Sequence, residues 1–213
     1  MPTTAELLSR VAGKGRLLVQ QASQLAQETR HPRRTALHVP ADRRSPPTRA
    51  YARFGARSWI VPPVLVDGAA GIEVGDDVLL LDTAALRVAV DRGARLTIGD
   101  RVRFGKGLEV ACSRRIIIGD AVSGSDHVAI TDCWGRLDAD EGAPPGAPVV
   151  IEDGAYLAYA SCITAGVRIG AGAFVGEGAV VVSDVAPHTV VYGNPAKPVR
   201  AFDGVAWVGP RLP

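Results

Sequence analysis

The chain has 213 residues, of which 47% are hydrophobic and 5% aromatic, and its formal net charge is +2. No apolar run approaches the roughly 20 residues of a transmembrane helix, and no signal-peptide core opens the chain, so we expect a soluble, cytoplasmic protein. Three cysteines without paired spacing and four scattered histidines argue against a disulfide framework and against a bound metal.

The basic residues are concentrated near the N terminus. The first 60 residues hold eleven Lys or Arg against three Asp or Glu, and the remainder holds thirteen against nineteen. Residues 3–29 carry apolar side chains at helical spacing, and residues 30–57 are rich in Arg and Pro, so we predict a short helix followed by an extended linker. Residues 1–57 thus form an N-terminal arm, whose helix is expected to pack on the rest of the chain or on a neighbouring subunit. Membrane-surface contact is a weaker alternative, and nucleic acid is not expected because no reading motif accompanies the charge.

Beyond the arm, an apolar residue recurs at intervals of six. A helix would scatter such residues around its circumference, and one long strand would bring small and acidic residues onto the same face. The pattern therefore predicts an all-β solenoid over residues 58–200, a coil of short strands with a corner in every hexad. The clearest inward positions are Val74, Leu80, Ile98, Phe104, Val110, Ile118, Ile130, Ile151, Leu157, Ile163, Ile169, Val175 and Val181. Gly124 takes an inward position without a side chain and predicts a narrowed or distorted coil.

Two segments depart from the hexads. Residues 136–150 are acidic and rich in Gly and Pro, which predicts a loop inserted at one corner. Residues 201–213 follow a series of prolines and are expected to form a C-terminal cap, since solenoid ends must be covered.

Four stretches resemble the hexapeptide-repeat acyltransferases, including the maltose and galactoside acetyltransferases and related enzymes of bacterial glycan clusters. They read IGDRVRFGKG (98–107), IGDAVSGSDHVAITD (118–132), VRIGAGAFVGEGAVVVSDV (167–185) and YGNPAKPVR (192–200). The resemblance implies a left-handed parallel β-helix and a homotrimer with active sites between subunits. It also implies acetyl-coenzyme A or another acyl-coenzyme A as co-substrate, no metal, and a sugar, glycan precursor or small natural product as acceptor.

The family's catalytic His is absent from its expected position. By resemblance, the base would stand where this chain has Gly135, and Cys133 replaces an alternative His. His127, predicted to point outward at a corner, is a candidate base, and Asp132 is a candidate weak base or orienting group. Cys133 could serve as a nucleophile only with a lowered pKa. Each of these three residues also has a purely structural interpretation.

The resemblance also places the co-substrate. The pantetheine arm would follow a groove at Ala158, Tyr159, Gly176 and Gly178, and the cations near the nucleotide phosphates would be Lys197 and Arg200. Tyr159 and Glu177 stand where relatives carry small residues, and the two cations could equally belong to a solvated cap. A catalytically inactive trimer that serves as a binding or assembly scaffold is therefore the competing hypothesis.

Overall fold

The computed structural model describes residues 48–133, 146–202 and 207–208. In these ranges the chain winds into a three-sided parallel β-helix of about six turns. The predicted N-terminal helix, Gly135 and most of the predicted insertion lie outside the described residues. No helix within the described ranges is long and apolar enough to cross a membrane.

The regular elements are mostly strands of two to four residues. In chain order the strands are β1 (Arg53–Phe54), β2 (Trp59–Ile60), β3 (Leu65–Asp67), β4 (Ile72–Val74), β5 (Leu79–Leu80), β6 (Ala85–Val88), β7 (Arg95–Ile98), β8 (Arg103–Phe104), β9 (Glu109–Cys112), β10 (Arg115–Ile118), β11 (Ser123–Gly124), β12 (Ala129–Thr131), β13 (Val149–Ile151), β14 (Tyr156–Leu157), β15 (Cys162–Ile163), β16 (Arg168–Ile169), β17 (Phe174–Val175), β18 (Val180–Val181), β19 (Thr189–Gly193), β20 (Ala196–Phe202) and β21 (Trp207–Val208). Within the described ranges, three short 3-10 helices span Thr48–Ala50, Ala69–Gly71 and Val90–Arg92.

Every third strand joins the same sheet, which gives three faces. Face 1 has the order β1-β4-β7-β10-β13-β16, and face 3 has the order β3-β6-β9-β12-β15-β18. Face 2 runs β2-β5-β8-β11-β14-β17-β19 and continues into β20 and β21. The coil strands pair in parallel, whereas β20 is antiparallel to both β19 and β21.

The predicted inward residues form the core. All of the hexad positions named above are at most 2% exposed, which confirms the solenoid interpretation. The prediction of a distorted coil at Gly124 is wrong, because β11 pairs in register with the strands on both sides. A Cβ at Gly124 would collide with the ring of Phe104 on the preceding coil, so this aromatic ring fills the space that the glycine leaves.

The coil begins earlier than predicted. Arg53 pairs with Glu73 on face 1, and Tyr51 is only 7% exposed. Arg57 belongs to the first corner, where its guanidinium donates two 2.7 Å hydrogen bonds to the Asp77 carboxylate. The arginines that suggested a linker here point outward, while the aromatic residues between them pack inward. Similarly, β13 already begins at Val149, inside the predicted insertion.

Aspartate side chains connect successive coils by hydrogen bonds at the corner between faces 1 and 2. Each carboxylate accepts a hydrogen bond from a backbone N–H one coil earlier, at 2.8 to 2.9 Å. The series comprises Asp76, Asp100, Asp120 and Asp153. These bonds satisfy N–H groups that the short strands leave unpaired at the turn.

Candidate functional site

The corner between faces 2 and 3, here called the 2–3 corner, brings together most of the predicted site residues. The coil turns at this corner through residues with positive φ, which are Thr83, Gly107, His127, Ala160 and Gly178. The predicted residues Ala158 and Tyr159 directly precede one of these turns, and Gly176 and Gly178 belong to the turn of the next coil. The six-residue repeat therefore stacks these positions along one edge of the solenoid.

His127 lies outward at the 2–3 corner, as predicted. Its φ is 59°, and its backbone N–H donates a 2.7 Å hydrogen bond to the carbonyl of Lys106. The imidazole lies over Gly107, where an added Cβ would approach Nδ1 to 2.6 Å. On its other side the imidazole meets the ring of Tyr159 edge-on, with 5.7 Å between ring centroids and 87° between planes. The imidazole is thus exposed to solvent and contacted from two neighbouring coils.

The surface beyond Tyr159 is open at one position of the predicted groove. The Tyr159 side chain is 51% exposed, and its carbonyl accepts a 2.8 Å hydrogen bond from the N–H of Gly178. A Cβ built on Gly178 would have no heavy atom within 4 Å. Ala158, in contrast, is only 3% exposed, so its side chain adds little to the accessible surface.

Gly176 is covered by an aromatic side chain. A Cβ at this position would collide with the ring of Tyr192. This ring belongs to a row of three aromatic rings, in which the ring centroid of Phe174 lies 5.1 Å from that of Tyr156 and 6.0 Å from that of Tyr192. Burial raises the pKa of both tyrosines, and the negative charge of Glu177 acts in the same direction. The predicted groove is therefore filled at Gly176, because the glycine accommodates a ring of the chain itself.

The two predicted phosphate-binding cations lie on β20. Lys197 is exposed and pairs with Tyr192, and Arg200 is half-buried and pairs with Val190. This pairing puts Lys197 next to the ring that covers Gly176. Arg200 lies farther along the strand, away from the 2–3 corner.

Asp132 occupies a different environment, at the corner between faces 3 and 1, here called the 3–1 corner. The residue is fully buried, and its carboxylate accepts hydrogen bonds from the backbone N–H groups of Ser113, Arg114 and Arg115 at 2.6 to 2.8 Å. The Ser113 hydroxyl donates a further bond at 2.9 Å. A Cβ on Gly146, where the described chain resumes, would collide with the Asp132 carbonyl. The carboxylate therefore holds this corner and has its oxygens engaged.

The Asp132 carboxylate also influences a buried thiol. Cys112 Sγ lies 3.6 Å from Asp132 Oδ2, and the thiol is fully buried. Burial, followed by the repulsion and hydrogen bonding of the carboxylate, raises the pKa of Cys112 to about 12. Cys133 follows Asp132 directly and is half-buried, with its Sγ 3.2 Å from the Thr131 hydroxyl.

The predicted catalytic residues are thus divided between two corners. His127 and Asp132 flank β12 (Ala129–Thr131), with His127 at the 2–3 corner and Asp132 at the 3–1 corner. Cys133 shares the corner of Asp132. The structure groups His127 with Tyr159 and Gly178 and does not bring it to Asp132 or Cys133.

Parts of the chain are similar to known acetyltransferases. No protein-family model matches the chain. Serine acetyltransferase 4 of Arabidopsis thaliana is 33% identical over 120 residues, which cover 56% of this chain and 33% of that protein. The 2,3,4,5-tetrahydropyridine-2,6-dicarboxylate N-acetyltransferase of Enterococcus faecalis is 48% identical over 60 residues, 28% of this chain and 26% of that enzyme. The relatives of this chain are acetyltransferases of the hexapeptide-repeat type.

These acetyltransferase relatives are longer than the shared segment, since the chain spans a third or less of the length of the two described. Among solved structures, AntD is an N-acyltransferase from Bacillus cereus in complex with dTDP and 3-hydroxybutyryl-CoA. It superposes with a TM-score of 0.63 over 71% of this chain and 84% of its own, at 16% identity. A mutant of AntD has been solved with dTDP-4-amino-4,6-dideoxyglucose and coenzyme A. This likeness shows that the solenoid is a β-helix acyltransferase fold.

Two features of the 2–3 corner were missed by sequence reasoning. Gly107 precedes His127 by 20 residues, which is also the offset between paired residues of β9 and β12. Aligning the corners of successive coils in the sequence could therefore have identified Gly107 as the neighbour of the imidazole. The covering of Gly176 by Tyr192 had no comparable signal. That contact depends on a ring that leaves the hexad pattern after the last regular coil.

Proposed function

We propose that this protein is an acyltransferase that moves an acyl group from a coenzyme A thioester to an amine or hydroxyl of a small acceptor. The observation that carries the proposal is the relationship to acetyltransferases, combined with an exposed imidazole on the coil surface. A sugar acceptor is proposed because AntD, of the same fold, has been solved with an amino sugar nucleotide. We propose a homotrimer as the active form, from the family resemblance, and the cytoplasm as its location, from the three cysteines without paired spacing.

In the proposed reaction His127 is the general base. The acceptor N–H or O–H gives its proton to the imidazole while its heavy atom attacks the thioester carbonyl. This attack forms the new C–N or C–O bond and gives a tetrahedral intermediate, and the C–S bond breaks when that intermediate collapses. The departing thiolate takes the proton from the imidazolium, which leaves free coenzyme A and restores neutral His127. General base catalysis of this kind contributes on the order of 10²- to 10⁴-fold to a rate.

The other predicted catalytic residues receive different roles in this proposal. Asp132 is structural, because its carboxylate oxygens are taken up by three backbone N–H groups and one hydroxyl of its own corner. Cys133 lies at the same distant corner and is given no part in the transfer. Gly135, at the family's expected base position, has no side chain that could accept a proton.

The co-substrate is proposed to follow the open part of the 2–3 corner. Gly178 leaves its surroundings clear, whereas the ring of Tyr192 closes the position of Gly176. The thioester would therefore approach between Gly178 and the exposed ring of Tyr159. Lys197, exposed beside Tyr192, is the cation best placed for the nucleotide phosphates, and Arg200 would contribute from farther along β20.

Calorimetric titration with acetyl-coenzyme A and with free coenzyme A tests the proposal before any acceptor is known. Saturable binding near one site per subunit is the expected result. Absence of binding by both ligands would contradict the enzyme proposal. It would favour a non-catalytic scaffold, which the covering of Gly176 by Tyr192 also supports.

Thiol release from acetyl-coenzyme A then tests the base, with dTDP-4-amino-4,6-dideoxyglucose as the first acceptor and a panel of amino and hydroxy sugars after it. His127→Asn should lower turnover roughly 10²-fold or more, because Asn tolerates positive φ but cannot accept the proton. His188→Asn is the matched control, since His188 is also exposed, with a φ of 53°. Equal turnover in the two variants would remove His127 from the mechanism.

A further inference from the structure

We infer that Tyr159 is a positioning residue that orients the imidazole of His127 through the edge-on ring contact. The catalytic part of this inference rests on the proposed function, in which His127 is the base. The contact itself does not depend on that function.

His188 has the same corner geometry as His127 but lies outside the ring pairs of the described residues. His127 and His188 have φ values of 59° and 53°, and both side chains are exposed. Each imidazole lies over a glycine of the preceding coil, and an added Cβ on Gly107 or Gly172 would approach the respective Nδ1 to 2.6 Å. Backbone and glycine contact are therefore nearly the same at the two corners.

The aromatic neighbour distinguishes them. Among the ring pairs of the described residues, His127 is in contact with Tyr159, and His188 is in none. An exposed side chain otherwise changes rotamer on the picosecond to nanosecond timescale, so a ring packed against the imidazole restricts its orientations. Edge-to-face packing is a favoured aromatic geometry, and here it comes from the coil that follows.

The attachment of Tyr159 suits a positioning role. Its carbonyl accepts the N–H of Gly178, which ties its backbone to the next coil, while the small residues Ala158 and Ala160 flank it. The Tyr159 side chain is about half-exposed. The proposed reaction does not use its hydroxyl. Because orientation of a reacting group strongly affects rate, loss of this ring should lower turnover even though His127 remains.

Side-chain NMR of the histidines tests the contact without any substrate. The imidazole carbon-bound protons of His127 and His188 are assigned with the His→Asn variants and compared in the wild type, Tyr159→Phe and Tyr159→Ala. Tyr159→Ala should shift the His127 signals by removing the ring current, with those of His188 unchanged, and Tyr159→Phe should keep the wild-type position. Unshifted His127 signals in Tyr159→Ala would overturn the inference.

Kinetics then separates positioning from co-substrate binding. Tyr159→Ala should lower kcat about tenfold with a smaller rise in the KM for acetyl-coenzyme A, and Tyr159→Phe should restore kcat. A raised KM with unchanged kcat would assign the ring to co-substrate binding and overturn the positioning role. If His127→Asn loses turnover and Tyr159→Ala does not, this inference fails while the proposed function stands. If His127→Asn keeps full turnover, the proposed base fails, and with it the catalytic role of Tyr159.

Discussion

The two ends of β12 differ in how the structure surrounds a polar side chain that could act as a base. At the 2–3 corner, His127 is exposed and touches two neighbouring coils through Gly107 and Tyr159. At the 3–1 corner, Asp132 is fully buried and accepts three backbone N–H groups and a hydroxyl. In the sequence both side chains are candidate bases. The comparison teaches that burial and occupied hydrogen-bonding capacity distinguish the Asp132 carboxylate from the solvent-accessible imidazole of His127.

At the buried end of β12, the negative charge of Asp132 must be stabilised by hydrogen-bond donors of the same corner. A carboxylate without partners would be expensive to remove from water, but several backbone N–H groups together make a favourable anion site. The exposed end has no such requirement, because solvent reaches the imidazole. Changes at the 3–1 corner should therefore affect the fold, and changes at the 2–3 corner should affect chemistry with little effect on the fold.

The largest expected difference concerns Cys112, the thiol beside Asp132. Because its pKa is raised to about 12 from an ordinary value near 9, only a small fraction is thiolate at pH 9. Thiolate is the reactive species, so alkylation of Cys112 in the native protein should be roughly 10²- to 10³-fold slower than in the unfolded chain. Peptide mass spectrometry after iodoacetamide treatment measures this rate. Equal rates in the native and urea-unfolded protein would show that the 3–1 corner is open.

Asp132→Ala should cause the largest loss of stability. It removes the acceptor for three backbone N–H groups and one hydroxyl, so we expect a loss of about 2–4 kcal/mol in the free energy of unfolding. Urea unfolding followed by circular dichroism provides the measurement. Asp132→Asn, which keeps part of the acceptor capacity, should lose less. A fully stable but inactive Asp132→Ala would contradict the structural role.

Gly146→Ala should have the next largest effect at the 3–1 corner. The new Cβ would collide with the Asp132 carbonyl and approach the Ser113 hydroxyl, so the corner must shift. We expect a loss of about 1–3 kcal/mol by urea unfolding, the usual range for overpacking. Gly178→Ala is the contrasting variant, because its φ of 62° costs about 1 kcal/mol in strain but the Cβ meets nothing. Equal losses would mean that the collision is relieved without cost.

The smallest effect is expected at the exposed end. His127→Gly should change the free energy of unfolding by less than about 1 kcal/mol, because relief of the positive φ offsets the lost ring contact. The same urea titration as for Asp132→Ala makes the comparison direct. A loss as large as that of Asp132→Ala would show that His127 is a structural residue, and the contrast between the two corners would disappear.

The sequence predicted what depends on local repetition. The hexad residues from Ile151 to Val181 point inward because β14 to β18 are each two residues long and the corners between them have the same length, so spacing alone places them. The outward direction of His127 follows from the same count. Resemblance to acyltransferases correctly indicated the fold, which the comparisons then supported.

Contacts between coils of unequal length were not predictable from that repetition. Matched positions on face 1 are 20 residues apart from Arg53 to Glu73, 33 apart from Ile117 to Val150, and 18 apart from Val150 to Arg168. The bonds of Asp132 to residues 113–115 and the filling of Gly124 by Phe104 both depend on these offsets. Buried polar contacts of this kind need coordinates.

The reversed direction of β20 has a consequence for self-association. A stack of parallel coils is an open-ended structure, and on face 2 its last parallel strand, β19, would offer a free edge to another copy. Instead β20 covers that edge in antiparallel orientation and is itself paired with β21. End-to-end growth of face 2 into a continuous parallel fibre is thereby interrupted by the chain's own C-terminal strands.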